Sequence, residues 1–356
     1  MQINISLGCL NNLKLTKILI PFERSIGERR VSATPETVKK LKNLGCEVYI
    51  EKSAGELSGF KDFSYEESGG IIFTKQDFNH WKEADIIFCI HCPEYEKLNK
   101  LKEGCLIIGL LNPFANKDLA KILSDLKLSA IALELLPRIS RAQSSDVLSS
   151  QANIAGYKSV LLAASELDRY FPMLMTAAGT VQPAKVVVLG GGVAGLQAVA
   201  TAKRLGALVF VSDIRPVVKE QVESLGAKFI NLPEIDEKPT ESGGYAKAVS
   251  TKFLEEQRAI LSKHLSEADV AICTAQVLGK KAPILIDDKM LENMRTGSVV
   301  VDLAVAQGGN CVHTKQNQIV IKNGVKLIGA SELPASVPYH ASSLYSKNLI
   351  SLITPF

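Results

Sequence analysis

The chain has 356 residues, enough for two domains of ordinary size, each with its own hydrophobic core. Its 41 basic and 37 acidic residues leave a net charge of only +4, which argues against an electrostatic surface for nucleic acid. The longest uncharged stretch, residues 186–202, contains a glycine cluster and is too short for a membrane span, so no transmembrane helix is expected.

In the first half of the chain, short apolar runs alternate with helical patterns, which is typical of parallel α/β structure. One helix is predicted from Pro35 to about Leu44, with Thr34 as its N-cap and Gly45 as its stop. Strands are predicted at Lys17–Ile20, Glu47–Glu51, Asp85–Ile90, Leu106–Leu110 and Leu128–Leu133, with a further helix at Asn116–Leu126.

A long helix over residues 145–170 is predicted to connect this unit to a second one, which begins with a strand at Lys185–Leu189. Residues 232–245, rich in proline and glycine, are predicted to form an exposed loop, and the last apolar helix, residues 342–352, to pack on the first unit. We therefore predict an α/β protein with two Rossmann-like domains, parallel sheets flanked by helices, and a cleft between the domains. The first domain comprises residues 1–137 and 336–356, and the second comprises residues 138–335.

The second domain opens with a dinucleotide fingerprint, in which the strand Lys185–Leu189 leads directly into G-x-G-x-x-G and an alanine-rich helix. Gly190 is expected to make the tight turn, Gly192 to let the backbone approach a pyrophosphate, and Gly195 to allow close helix–sheet packing. The helix begins at Val193, where free N–H groups and the helix dipole favour phosphate. The pattern predicts dinucleotide binding.

An acidic residue follows the next strand, as this fingerprint requires. Asp213 ends the strand Leu208–Ser212, about twenty residues beyond the glycines, where a carboxylate hydrogen-bonds the adenosine ribose. Its charge also repels the extra phosphate of NADP, so the pattern favours NAD. Arg215 is a complication, because a nearby arginine could hold that phosphate; its position past the strand end favours a place over the adenine or in solvent.

A second polar cluster, residues 137–153, precedes the connecting helix and is too dense in polar residues for a plain linker. It includes Arg138 and Gln143 in a loop, then Asp146, Ser149 and Asn153 at i, i+3 and i+7 on one predicted helical face. The helix is expected to be capped by Ser144 or Ser145. Such a set can hold a nicotinamide, but an ordinary interdomain hinge with a capped helix explains the pattern equally well.

The segment from Pro137 to Tyr157 resembles a loop of the NAD(H)-binding component, domain I, of proton-translocating NAD(P) transhydrogenases, relatives of alanine dehydrogenase. The resemblance extends from about Lys17 to Phe356. Other motifs similar to this family are Ile20–Glu23, Glu28–Pro35, Asp213–Arg215, Glu220–Gly226, Gly243–Lys247, Asp302–Ala304 and Gly308–Cys311.

The resemblance implies roles for individual residues. Arg138, Gln143, Asp146 and Ser149 match the residues that position the nicotinamide, Gly244 and Tyr245 match a mobile loop that closes over the nucleotide, and Ile214 and Gln257 match further nucleotide contacts. A polar face on a surface helix would explain Gln257 equally well. Gln276 departs from the pattern, because the family often has an apolar residue there against the adenine.

The resemblance also implies an activity and partners. NADH on this chain would pass hydride to NADP⁺ on a separate subunit, which requires positioning of two nicotinamides and no catalytic base. It implies membrane-spanning and NADP(H)-binding partner subunits, a location at the cytoplasmic face of the membrane through those partners, and a homodimer formed through residues 318–327. Alone, the chain is expected to transfer little hydride.

Two other functions remain open. Alanine dehydrogenase chemistry needs acid–base groups, and the related enzymes use a lysine and a histidine, but residues 88–93 contain no lysine and residues 107–112 no histidine. His91 alone is a candidate base. The third possibility is a nucleotide-binding module without catalysis.

Cysteine usage gives no strong metal signal. Seven cysteines at irregular spacing favour reduced thiols in a cytoplasmic protein. Cys89, His91 and Cys92 resemble half of a zinc site, with Cys105 as the nearest further candidate, but no second Cys/His pair follows at suitable spacing. We therefore expect no bound metal and interpret these thiols as incidental to a strand end.

Overall fold

The computed structural model describes residues 16–232 and 251–354, the first four of the latter range through their backbone only. Most of the predicted exposed loop, with Gly244 and Tyr245, lies outside the described residues. The chain divides into two compact units: the first reaches Gln151 and resumes at Pro334, and the second is Ala152–Leu333. Within the described part of the chain, no helix has both the length and the apolar character to cross a bilayer.

The first unit contains six strands and six helices among its described residues. The strands are β1 Lys17–Ile20, β2 Glu47–Glu51, β3 Ile71–Phe73, β4 Ile86–His91, β5 Leu106–Leu110 and β6 Ser129–Ala132. The helices are α1 Pro35–Asn43, α2 Asp62–Glu67, α3 Asn79–Glu83, α4 Tyr95–Leu98 and α5 Leu119–Asp125, together with α11 Pro338–Ile353 near the end of the chain. Short 3₁₀ segments lie at Glu56–Ser58, Leu133–Leu135 and Ser140–Ser145.

The sheet of the first unit is parallel and has the order β3-β2-β1-β4-β5-β6, which is the Rossmann order. Its strands are apolar throughout because both faces are covered. Ile18 and Ile20 of β1 pack on one face with Tyr345 of α11, and Leu19 packs on the other with Trp81 of α3. The carboxyl ends of β4 and β5 are therefore neighbours at one edge of this sheet.

The connecting helix α6 spans Val147–Glu166, and the boundary between the two compact units falls within it. The second unit then contains β7 Leu174–Thr176, β8 Gly179–Val181, β9 Lys185–Leu189, β10 Leu208–Ser212, β11 Lys228–Phe229, β12 Val270–Cys273, β13 Val299–Asp302, β14 Ile319–Lys322 and β15 Val325–Gly329. Its helices are α7 Val193–Arg204, α8 Val218–Ser224, α9 Thr251–Ser266 and α10 Asp288–Asn293. Short 3₁₀ segments lie at Val305–Gln307 and, crossing into the first unit, at Leu333–Ser336.

The main sheet of the second unit has the order β11-β10-β9-β12-β13-β15-β14, parallel except for the edge strand β14. Val186 and Val188 of β9 pack against α7 through Val199, whereas Val187 packs on the opposite face with Leu265 of α9. The predicted α/β class, with parallel sheets flanked by helices, is confirmed. Because β9 is central, its carboxyl end at the glycines lies between those of β10 and β12.

Most predicted elements agree closely with the structure. The predicted strands at β1, β2, β5, β9 and β10 have the observed bounds. Helix α1 begins at Pro35 with Thr34 as its N-cap, and Thr34 and Thr37 satisfy each other's backbone N–H groups in a capping box. Three predictions were wrong in extent: α5 begins only at Leu119, and the connecting helix begins at Val147 and ends at Glu166.

Candidate functional site

The glycine turn, residues 190–195, is fixed by contacts of the main chain. Gly190 has a φ of +103°, a conformation that favours glycine, and its N–H donates to the Ser212 carbonyl at 2.8 Å. A Cβ on Gly195 would stand 1.9 Å from the Gly190 carbonyl oxygen. The start of α7 can therefore pack against the end of β9 only if residue 195 has no side chain.

The middle of the turn is open where the two ends are crowded. A Cβ added to Gly192 would meet nothing within 4 Å, and no side chain caps α7, so its first N–H groups are free of capping partners. Val193, the first helical residue, is exposed. Open space before uncapped N–H groups suits an anion such as a pyrophosphate.

Asp213 follows β10 and lies against this turn. Its Oδ2 accepts from the N–H of Gly191 at 2.6 Å, and the side chain is only 6% exposed. Burial alone would raise the pKa of Asp213, but hydrogen bonds from Arg215 and Gly191 hold it below its usual value. The carboxylate stays charged at the position that the fingerprint requires.

Arg215 differs from the expectation that it lies over the adenine or faces solvent. Its guanidinium is bound to Asp213, with Nε to Oδ1 and Nη2 to Oδ2 both at 2.9 Å, while the side chain remains 55% exposed. The two residues are separated by one position, and the backbone bend that brings the Arg215 N–H within 2.8 Å of Oδ1 also returns its side chain to the carboxylate. Ile214, between them, is exposed.

In the first unit, the polar segment Arg138–Ser149 surrounds a cavity of about 310 Å³. Arg138, Gln143 and Asp146 all line it, together with apolar side chains that include Leu136 and Leu148. Arg138 and Gln143 are exposed and Asp146 is half-buried. The structure thus brings three of the four predicted nicotinamide residues to one concave surface.

Asp146 is not on the helical face predicted for it, because it precedes α6. It follows the 3₁₀ segment Ser140–Ser145, and its Oδ1 accepts from the Ser149 N–H at 2.9 Å in the manner of an N-cap. The predicted cap at Ser144 or Ser145 is therefore wrong. The Ser149 hydroxyl, the fourth predicted residue, donates to Asp146 Oδ2 at 2.6 Å.

The remaining predicted residues lie in the second unit. Asn153 donates to the Gln197 side chain of α7 at 3.1 Å, so it links two helices. Gln257 is buried on α9. Gln276 follows β12 and its amide donates to the carbonyl of Leu303, which fixes an exposed side chain near the carboxyl edge of the sheet.

The edge of the first unit's sheet that an alanine dehydrogenase would need carries a structural ion cluster. His91, at the end of β4, has its Nε2 at 2.8 Å from Glu28 Oε2, and the same carboxylate binds the buried Arg30 at 2.6 Å. Burial lowers the pKa of His91, but the Glu28 contact outweighs it and the pKa is raised. The neighbouring strand, β5, is followed by Leu111 and Asn112, so no lysine–histidine pair meets at these two strand ends.

The thiols next to His91 belong to different surroundings. Cys89 is fully buried within β4, with its Sγ 3.6 Å from the carbonyl of Ile108, and Cys92 is half-buried. Burial raises the pKa of Cys92 to about 11 and that of Cys105 to about 12. These thiols are therefore protonated at neutral pH.

One residue of the glycine turn's surroundings escaped the sequence analysis. Thr274 follows β12, and its hydroxyl donates to the Gly190 carbonyl at 2.9 Å. A Cβ on Gly190 would lie 2.7 Å from that hydroxyl oxygen. The signal was a polar residue directly after the strand that neighbours β9, since the carboxyl ends of parallel strands lie together.

Family comparison agrees with this geometry. The N-terminal domain described as alanine dehydrogenase/PNT matches residues 19–155, and the C-terminal domain of the same description matches residues 159–356. The chain belongs to the alanine dehydrogenase/PNT family. Its two matched domains contain the polar segment and the glycine turn respectively.

Individual relatives include both branches of the family. An NAD(P) transhydrogenase alpha subunit of Rhodospirillum rubrum is 46% identical over 345 residues, which are 95% of this chain and 90% of that protein. The crystal structure of a transhydrogenase from Sinorhizobium meliloti matches with a TM-score of 0.85 and 41% identity, covering 95% of this chain and 94% of that one. An L-alanine dehydrogenase structure matches at 0.79 and 28%, covering 95% and 89%. The resemblance to transhydrogenases is confirmed.

Proposed function

We propose that this chain is the NAD(H)-binding component of a proton-translocating NAD(P) transhydrogenase. The observation that carries the proposal is the cavity lined by Arg138, Gln143 and Asp146, three residues that match the nicotinamide-positioning residues of that family. Support also comes from the 46% identity to a transhydrogenase alpha subunit over nearly the whole chain. The proposed reaction is hydride transfer between NADH here and NADP⁺ on a partner subunit.

The two units contribute differently to holding NAD(H). The uncapped start of α7 and the open space at Gly192 fit a pyrophosphate, and Asp213 offers a charged acceptor for the adenosine ribose. The amide of Gln143 and the guanidinium of Arg138 suit the carboxamide and ribose of the nicotinamide end. Ser149 and Asp146, already hydrogen-bonded to each other, give the segment a fixed start of α6 to lie on.

Transfer between two nicotinamides needs no proton at either reacting carbon. The residues of this chain therefore act by orientation: the reacting atoms must come to roughly 3–3.5 Å, and water must be excluded. Charge on the reduced and oxidised rings changes in opposite senses, so exposed polar groups that hold the carboxamide are sufficient. Tyr245 and Gly244 are proposed to supply closure, as their family counterparts do.

Alanine dehydrogenase activity is the second candidate, because that enzyme's structure matches at a TM-score of 0.79. The ends of β4 and β5 argue against it. His91 is held by Glu28, whose other partner is Arg30, so its ring nitrogen is engaged in an ion cluster. A base that must accept and return a proton to an amine needs that nitrogen free.

We further propose that the chain acts at the cytoplasmic face of the membrane, with membrane-spanning and NADP(H)-binding subunits, and as a homodimer. Support for the dimer comes from the hairpin β14–β15 at the sheet edge, where Ile319 and Ile321 are 52% and 69% exposed. Exposed apolar residues on an edge strand favour pairing with another chain. Sedimentation as a monomer at micromolar concentration would contradict this part of the proposal.

Reconstitution tests the function. The purified chain is titrated with NADH by fluorescence, then mixed with a transhydrogenase NADP(H)-binding component, and hydride transfer from NADH to an NADP⁺ analogue is followed by absorbance. We expect NADH binding by the chain alone and transfer only in the mixture. Oxidation of L-alanine with NAD⁺ by the chain alone, or no binding of NADH, would refute the proposal.

A further inference from the structure

The Asp213 carboxylate is already saturated by donors from its own chain. Oδ2 accepts from the Gly191 N–H at 2.6 Å and from the Arg215 Nη2 at 2.9 Å. Oδ1 accepts from the Arg215 N–H at 2.8 Å and from its Nε at 2.9 Å. Two carboxylate oxygens offer about four lone-pair sites. A ribose hydroxyl can bind Asp213 only by replacing one of these donors.

The donors differ in how easily they are replaced. The N–H groups of Gly191 and Arg215 belong to the backbone, and moving Gly191 is resisted because a close neighbour, the Val218 side chain, would lie 2.3 Å from any Cβ there. The Arg215 guanidinium ends a flexible side chain that is 55% exposed. An exposed pair of this kind is weak and exchanges readily with water. The guanidinium is the group that a ribose displaces.

A displaced guanidinium has an obvious alternative ligand. Because it leaves the carboxylate that a ribose diol approaches, it stays within reach of the substituent on the 2′ carbon. Guanidinium binds phosphate in a bidentate geometry, more strongly than it binds neutral groups. An adenosine with a 2′-phosphate would meet the Asp213 charge and the Arg215 charge at the same position.

We propose that Arg215 is a specificity residue: it competes with the adenosine ribose for Asp213, and it is a latent 2′-phosphate ligand that Asp213 keeps paired. Asp213 then selects NAD(H) in two ways, by repelling the phosphate and by occupying the one guanidinium bound to it. This inference rests on the proposed NAD(H) site and identifies the pair that sets its choice between the two nucleotides.

The test is a double-mutant cycle with Arg215→Ala, Asp213→Asn and the two combined. NADH and NADPH are titrated against each by fluorescence, and 2′-AMP and 5′-AMP serve as fragment probes. We expect Arg215→Ala to bind NADH about two- to fivefold more tightly, because a competitor is removed. We expect Asp213→Asn to bind NADPH and 2′-AMP at least about tenfold more tightly than the double variant does, because the freed guanidinium binds the phosphate.

Arg204→Ala is the matched control. It removes one exposed positive charge from the same unit, at the opposite end of α7 from the glycine turn, and should change neither affinity. Equal NADPH affinity of Asp213→Asn and the double variant would overturn the phosphate role. Unchanged or weaker NADH binding by Arg215→Ala would overturn the competition. Failure of the wild-type chain to bind NADH would refute the proposed function instead, so the two failures are distinguishable.

Discussion

The glycine turn of the second unit and the polar segment of the first unit are built on opposite principles. At residues 190–195, backbone atoms make the site: Gly190 and Gly195 allow a strand end and a helix start to approach so closely that a single methyl group does not fit. At residues 138–149, side chains make the site: Arg138 and Gln143 are exposed on a loop and a 3₁₀ segment around a cavity. One site depends on packing and the other on chemical groups.

This difference predicts how the two regions respond to substitution. A change in the glycine turn acts on folding and nucleotide binding together, because the same contacts define both. A change in the polar segment leaves the backbone in place, so its effect is confined to whatever the side chain does for the nucleotide. Comparing stability, NADH affinity and transfer rate in the same variants therefore separates the two principles.

Gly195→Ala should have the largest effect. The new Cβ would stand 1.9 Å from the Gly190 carbonyl oxygen, and main chain cannot rotate away as a side chain can. We expect a loss of about 1–3 kcal/mol or more in the free energy of unfolding, measured by urea denaturation. NADH affinity should fall more than about tenfold.

Gly192→Ala is the control for that prediction. No atom lies within 4 Å of its Cβ position and its φ is −75°, so alanine fits the free protein. Unfolding free energy should change by less than about 1 kcal/mol, while NADH binding weakens because the methyl group occupies the space where a pyrophosphate approaches. A stable Gly195→Ala variant with normal NADH affinity would show that packing does not define this site.

Gln143→Ala should have an intermediate effect, on rate alone. No hydrogen bond within the described chain depends on its side-chain amide, so stability should not change. We expect hydride transfer in the reconstituted system to slow by about 10- to 100-fold, because a misplaced nicotinamide reacts slowly, with NADH affinity within about threefold of wild type. Stopped-flow transfer and fluorescence titration measure the two quantities.

Ser144→Ala serves as its matched control, since Ser144 is the next residue on the same 3₁₀ segment, is equally exposed and does not line the cavity. Its transfer rate should equal that of wild type. If Gln143→Ala lost affinity and rate to the same extent, the side chain would contribute binding and not orientation.

Sequence patterns predicted the two regions unequally, for the same physical reason. Strand β9 has its predicted bounds because a parallel strand covered on both faces must be apolar at every position. The roles of Gly190 and Gly195 follow from spacing alone, since a backbone turn leaves little choice of residue. The exposed hairpin β7–β8 was missed, because its residues face solvent and carry no alternating pattern.

Side-chain pairings could not be predicted from spacing. Ser144, Ser145 and Asp146 are three consecutive residues that all favour helix N-caps, and only the 3₁₀ segment before α6 decides that Asp146 takes the role. The return of Arg215 to Asp213 depends on a local backbone bend that no periodicity reveals. Helix ends and polar contacts are decided by tertiary geometry, whereas buried strands are decided by hydrophobicity.

Asp146 should show the smallest effect on stability, and it joins the two principles in one residue. Its Oδ1 caps α6 through the Ser149 N–H, while the same carboxylate lines the cavity. Asp146→Ala removes the cap and should lower the free energy of unfolding by about 1 kcal/mol. Asp146→Asn retains a capping oxygen of equal quality and should cost no more than about 0.3 kcal/mol, although it loses the charge.

The same pair of variants separates capping from positioning. If the charge of Asp146 helps to orient the nicotinamide, Asp146→Asn slows hydride transfer while the protein stays as stable as wild type. A wild-type rate in Asp146→Asn with a slow Asp146→Ala would instead mean that the residue acts only by fixing the start of α6. A fully stable Asp146→Ala would contradict the cap itself. Because the helix it begins carries Gln151 on to the boundary of the second unit, the cap is a backbone constraint placed within a side-chain site.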